Sequence, residues 1–158
     1  NKIREIKPLL DPWVPCNDVI SWVENVLEKR RQYNIGDNHG CILCGSTEEE
    51  TIEHMIFTCH FNSTCWDTLN IQWTTNGDRL NWIKEAKSRW DNQMFMEIFL
   101  YASWSLWKER NNKHFRRIDP TIGSWARRFK EDLSLLIYRA KDKHKQFLST
   151  FTQTFVVP

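Results

Sequence analysis

The sequence predicts a mainly α fold: a helical domain with a small Cys-Cys-His-Cys zinc knuckle and a long antiparallel helix pair at its C-terminal end. Three observations lead there. Five glycines and five prolines in 158 residues leave few turns for a many-stranded sheet. Apolar residues recur at helical spacing over most of the chain. Cys41, Cys44, His54 and Cys59 stand as Cys-x2-Cys-x9-His-x4-Cys, a spacing that suits one tetrahedral zinc. With 41% hydrophobic residues and nine tryptophans, the chain has enough apolar surface to bury a core and does not read as disordered.

The elements follow in order. Residues 1–16 contain three prolines after Asn1 and read as an irregular lead-in that tucks Leu9, Leu10 and Trp13 against the core. Asn17 caps a helix running to about Tyr33, in which Val19, Ile20, Val23, Val26 and Leu27 form one apolar face. Lys29, Arg30 and Arg31 suit the C-terminal end of its dipole. Gly36, Asp37, Asn38 and Gly40 form the turn that delivers Cys41. Within the knuckle, residues 41–66, a short helix over Glu48 to Thr58 carries His54 on one side and Ile52, Met55 and Ile56 or Phe57 on the other. Asn62 or Ser63 caps another short helix, with Trp66 and Leu69 facing inward.

The helical core spans residues 78–148. Asp78 caps a helix from Arg79 to Trp90, with Leu80, Ile83, Ala86 or Lys87, and Trp90 at helical spacing. From about Gln93 to His114 the chain is apolar nearly all round through Trp107 and then polar in KERNNKH, the profile of a central helix emerging from a core. Asp119 followed by Pro120 marks the next helix start. From there Ile122, Trp125, Ala126, Phe129, Leu133, Leu136, Ile137, Ala140, Phe147 and Leu148 hold one apolar stripe for about eight turns. The expected domain therefore covers 17–150, with 151–158 a tail in extended structure or disorder.

In the knuckle, Gly45 closes a tight turn that points both Cys41 and Cys44 at one ion, while His54 and Cys59 lie five apart near one face of a helical turn. All four coordination positions are then filled by protein, so one zinc would be structural and could not activate water. Cys65 and His60 are alternative ligands with poorer loop geometry. Cysteines clustered with a histidine fit a reducing intracellular compartment, nucleus or cytoplasm, better than a disulfide scaffold.

Charge is uneven. Residues 1–106 carry ten Lys/Arg against fifteen Asp/Glu and residues 107–158 twelve against five, so −5 and +7 make up the net +2. Arg127, Arg128, Lys130, Arg139, Lys141, Lys143 and Lys145 fall on the polar side of the last helix. Such asymmetry points to nucleic acid or to an acidic partner.

Several stretches together resemble a known family. Cys41, Cys44, Glu50-Thr51, Glu53-His54, Met55-Ile56-Phe57, Cys59, Phe61, Cys65 and Trp66 are similar to the zinc-binding domain at the C-terminal end of plant LINE-type (non-LTR) retrotransposon reverse transcriptases. Leu27 to Ile35 resembles the family's approach to the first cysteine. Trp104, Trp107, Arg110, Asn111 and Phe115 resemble its tryptophan-rich helix, and the likeness covers about residues 19 to 140. It implies zinc on Cys41, Cys44, His54 and Cys59. His60 departs from the family, where a proline usually follows the third cysteine.

The residues needed for polymerase, endonuclease or RNase H chemistry are missing: the sequence has no Tyr-x-Asp-Asp-type pair, no Gly-x-Ser-x-Gly and no phosphate-binding glycine loop. The expectation is a non-catalytic binding protein without a small-molecule substrate. Nothing at the N-terminus reads as a secretory signal, and the run Met94 to Trp107 is too short to span a membrane and contains Glu97. RNA or DNA, held by Arg127, Arg128, Lys130, Arg139 and Lys141, is the expected partner. The alternative is a host-retained, element-derived module that regulates or inhibits a partner protein.

Overall fold

Six α-helices and one π-helical turn organise the computed structural model, which describes residues 16–32, 40–90 and 92–157. They are α1 (Cys16–Gln32), the π turn (Glu53–Thr58), α2 (His60–Thr68), α3 (Arg79–Arg89), α4 (Phe95–Arg116), α5 (Ile122–Arg139) and α6 (Asp142–Thr154). The mainly α class is as the sequence predicts, and the one β-type pairing among the described residues is an isolated bridge between Gly40 and Glu49. The expected packing of Leu9, Leu10 and Trp13, and the turn at Gly36 to Asn38, lie outside the described residues, as do the side chains of Val19, Arg30 and Arg31.

α4 is the central element. Phe95 and every residue from Ile98 to Trp107 are buried, because this 22-residue helix is covered from several directions. α1 lies on it through the face of Ile20, Val23 and Leu27, all buried. α5 returns antiparallel across it: Glu109 near the end of α4 meets Ser124 and Arg128 near the start of α5, while Glu97 near the start of α4 shares a cavity wall with Leu136 and Arg139. Trp104, Trp107, Trp125 and Phe129 are all buried in this pair, and Trp125 Nε1 donates to the Ala102 carbonyl at 3.2 Å.

Four expectations are corrected here. The long last helix is two helices: Ala140 (ψ 152°) and Lys141 (ψ 148°) are extended, and α6 folds back along α5. The reversal buries Leu148 and brings Phe151 and Phe155 against Phe129 at ring distances of 6.3 and 5.4 Å. The stretch from residue 151 thus continues a helix and joins the core. Second, α5 starts later than Asp119-Pro120. Thr121 is its N-cap, accepting from Ser124 N at 3.0 Å in a reciprocal capping box, and Asp119 instead pairs with Lys113.

Third, α4 does not emerge from the core at Lys108, because Glu109 and Arg110 are still buried. Fourth, Leu80 is 50% exposed, and α3 packs instead through buried Ile83 and Ala86 and through Trp82, whose ring meets Phe57 edge-on at 5.3 Å. The Asp78 cap is as expected, with its carboxylate accepting from Asn81 N at 2.9 Å.

Candidate metal centre

The first two ligands sit on a hairpin. Cys41 N donates to the Glu48 carbonyl at 2.9 Å, beside the Gly40–Glu49 bridge, and Gly45 N donates to the Cys41 carbonyl at 3.0 Å. Gly45 has φ +69°, the left-handed region in which a side chain would be strained. The turn therefore closes tightly enough to place Cys41 and Cys44 side by side.

The second pair depends on the π turn, which was expected as an ordinary short helix beginning at Glu48. In an α-helix, residues five apart differ by about 140° in direction, given 3.6 residues per turn. Here Cys59 N donates to the His54 carbonyl at 2.7 Å, a bond between residues five apart that closes a wider turn. His54 and Cys59 come round to the same side as a result. Met55, Ile56 and Phe57, on the opposite side, are buried, so one turn anchors ligands and core together.

The four donor atoms, Sγ of Cys41, Cys44 and Cys59 with a ring nitrogen of His54, all lie within 4.8 Å of one another. Cys41 Sγ and Cys59 Sγ are 3.7 Å apart, and Cys44 Sγ and His54 Nε2 are 3.4 Å apart. A tetrahedron with bonds of about 2.3 Å to sulfur and 2.0 Å to nitrogen has edges of about 3.8 Å for S···S and about 3.5 Å for S···N. Both separations match those edges. The donor set therefore fits a metal ion held wholly by protein.

The surroundings complete the site. His54 Nδ1 faces Glu48 Oε2 at 2.5 Å and Thr58 Oγ1 at 3.3 Å, which orients the ring and leaves Nε2 for the ion. The ligand spacing does not point to Glu48; an acidic residue on the segment that pairs with the first cysteine is the available signal. Cys59 is the N-cap of α2. Its thiol is held below the usual range by the hydrogen bond with Cys41, helped by the backbone N–H groups of Asn62 and Phe61. The same hydrogen bond, with burial, pushes the Cys41 thiol up. Cys65 is buried outside the cluster, its thiol pushed up by burial, and His60 is exposed. Neither alternative ligand joins the set.

A buried ion pair fastens this lobe to the helical core. Arg110 Nη2 donates to Glu50 Oε1 at 2.7 Å, and Arg110 Nε reaches both carboxylate oxygens at 3.2 Å. Glu50 is 2% exposed and Arg110 3%. The guanidinium also lies 5.2 Å from the Trp107 ring centroid. Aromatic packing adds to the joint: Phe57 in the π turn and Trp66 in α2 both stack on Phe99 of α4.

The five residues expected to hold nucleic acid are not one surface stripe. Arg128 pairs with buried Glu109 at 3.1 Å, and Lys130 Nζ donates to the Phe155 carbonyl at 3.4 Å. Arg127 and Arg139 are exposed on α5. Lys141, also exposed, lies past the break, and with Arg139 and His144 it lines a small cavity beside Met94, Glu97 and Leu136. Two of the five are thus committed to holding α5 on its neighbours.

No helix among the described residues is long and apolar enough to cross a membrane. No family model, curated protein or solved structure matches this chain.

Proposed function

We propose that the chain is a non-catalytic, zinc-dependent nucleic-acid-binding module of the kind found at the C-terminal end of plant LINE-type reverse transcriptases. One observation carries the zinc assignment: three sulfurs and one imidazole nitrogen within 4.8 Å of one another, the Cys41–Cys59 and Cys44–His54 separations at tetrahedral edge distances, with Nδ1 of the histidine occupied by a carboxylate. Soft thiolates with one imidazole in a tetrahedral set favour zinc over the harder cations. With four protein ligands the ion has a structural role. It closes the hairpin, the π turn and the start of α2 into one lobe on α4.

Nucleic acid is supported by the +7 balance of residues 107–158, with binding through phosphates and therefore sensitive to salt. The second reading, a protein-binding module, is favoured by Leu135 (57% exposed) and Tyr138 (83% exposed) on the outer side of α5. Metal analysis of the purified chain, followed by titration with RNA and DNA at low and high salt, separates the two. The expected outcome is one zinc per chain and an affinity that falls steeply with salt. Folded protein without zinc would remove the metal reading. Absence of nucleic-acid binding at low salt, together with capture of a protein dependent on Leu135 and Tyr138, would establish the second reading.

A further inference from the structure

The connection between α4 and α5 combines three features that the fold itself does not need. α4 ends with Arg117 in the left-handed conformation (φ 56°), its N–H donating to the Lys113 carbonyl at 3.1 Å. Glycine is the usual residue at such a helix end because a Cβ is disfavoured there. Phe115 is 67% exposed and Ile118 51%. Arg116 and Arg117 are exposed, and neither guanidinium has a hydrogen bond or ion pair among the described residues. The acid of this connection, Asp119, is taken by Lys113.

An exposed apolar side chain alone would carry nothing. Here an exposed aromatic ring, met edge-on by the exposed His114 ring at 4.6 Å, directly precedes two exposed arginines, the second of them on a backbone that favours glycine.

We propose that this connection is a contact site for single-stranded nucleic acid, with one base stacked on Phe115, Ile118 against its edge, and Arg116 and Arg117 on the flanking phosphates. The proposal rests on the nucleic-acid reading above and names where on the surface it acts. Base stacking on a protruding ring needs an unpaired base with a free face, whereas a duplex offers none along its length. Arginine supplies the forked donors that suit phosphate oxygens. The αL arginine makes a clean test available, because Arg117→Gly removes the charge while easing the backbone.

The experiment titrates the zinc-loaded chain with a fluorescent single-stranded oligonucleotide and with the matching duplex, in parallel with thermal melts. Expected are tighter binding to the single strand, a loss of about 5- to 150-fold for Phe115→Ala, and for Arg117→Gly a lower salt slope by about 0.7 with an unchanged or higher melting temperature. If the chain binds single strands and both variants bind like wild type, or if the duplex binds equally well, the connection is not the site, although the nucleic-acid reading survives. If neither nucleic acid binds, both fall, and loss of a protein partner in these variants would make the connection a protein contact.

Discussion

Replacing Glu50 by alanine leaves the Arg110 guanidinium buried without its carboxylate, and the size of the effect follows from the surroundings of the pair. Both residues are at most 3% exposed, and three N–H···O contacts of 2.7 to 3.2 Å join them. After the change, Arg110 keeps Asn111 Oδ1 at 3.0 Å and the Trp107 ring, neither of which neutralises a charge. Breaking one side of such a pair costs about 3–5 kcal/mol, against a total stability of about 5–15 kcal/mol for a domain. For a chain of this length a loss of that size lowers the melting temperature by about 10 °C. The double variant Glu50→Leu with Arg110→Met should recover most of the loss, because replacing a whole buried pair with apolar residues is often neutral or better. Thermal melts of Glu50→Leu, Arg110→Met and the double variant make a complete cycle. A shift below about 2 °C for Glu50→Ala would mean that the pair is hydrated, and the lobe would then have to be docked by its aromatic contacts alone.

Three further outcomes are expected. Glu48→Ala removes the carboxylate on His54 Nδ1 and should weaken metal affinity about tenfold, at the low end for such partners because Glu48 is 69% exposed; competition with a chromophoric chelator reads this directly, and unchanged affinity would leave Thr58 as the orienting group. Cys65 should resist thiol reagents near neutral pH in the folded chain, since burial raises its pKa and so keeps it in the unreactive protonated form; labelling at the rate of a free thiol would show that α2 opens. Phe155→Ala should cost about 3 kcal/mol because the ring packs on Trp125, Phe129 and Phe151, and a melt like wild type would show that the end of the chain is not held in the core.

The sequence was legible where its signals were local. The four ligands are fixed by spacing within nineteen residues of chain, Asp78 stands directly before the helix it caps, and all-round apolarity marks α4 as central. What stayed hidden depends on distant partners. Glu109 and Arg110 read as surface charges because such residues are rarely buried, yet their partners are Ser124 and Arg128 for one, and Glu50, sixty positions back, for the other. The break at Ala140 and Lys141 has neither glycine nor proline to announce it. The apolar residues on either side keep the same helical phase, so periodicity alone joins α5 and α6 into one rod. Only the aromatic cluster formed by folding back selects the turn. The π turn was equally invisible, because a spacing of five between His54 and Cys59 is compatible with several local conformations, and the choice among them comes from both side chains meeting one point.

Two aromatic clusters divide the core between the metal lobe and the C-terminal helices, which bears on how far the influence of the ion reaches. Phe57, Trp66, Trp73, Phe95 and Phe99 form one, linking the π turn and α2 to α4. Trp125, Phe129, Phe151 and Phe155 form the other, and it contains no residue of the knuckle. Trp90 touches both, through Phe95 on one side and Phe147 and Phe151 on the other. An ion that fixes His54 and Cys59 therefore acts first on the cluster around Phe99 and on the Glu50–Arg110 pair. The helix reversal at Ala140 and Lys141 is held by contacts that the ion does not touch. Arg110 lies in α4 only five residues before Phe115, about 7.5 Å along the helix axis, so a lobe docked through Arg110 also steadies the end of α4 from which the exposed Phe115, Arg116 and Arg117 project. On the reading proposed above, a metal held by Cys41, Cys44, His54 and Cys59 would support the proposed binding surface without touching its ligand.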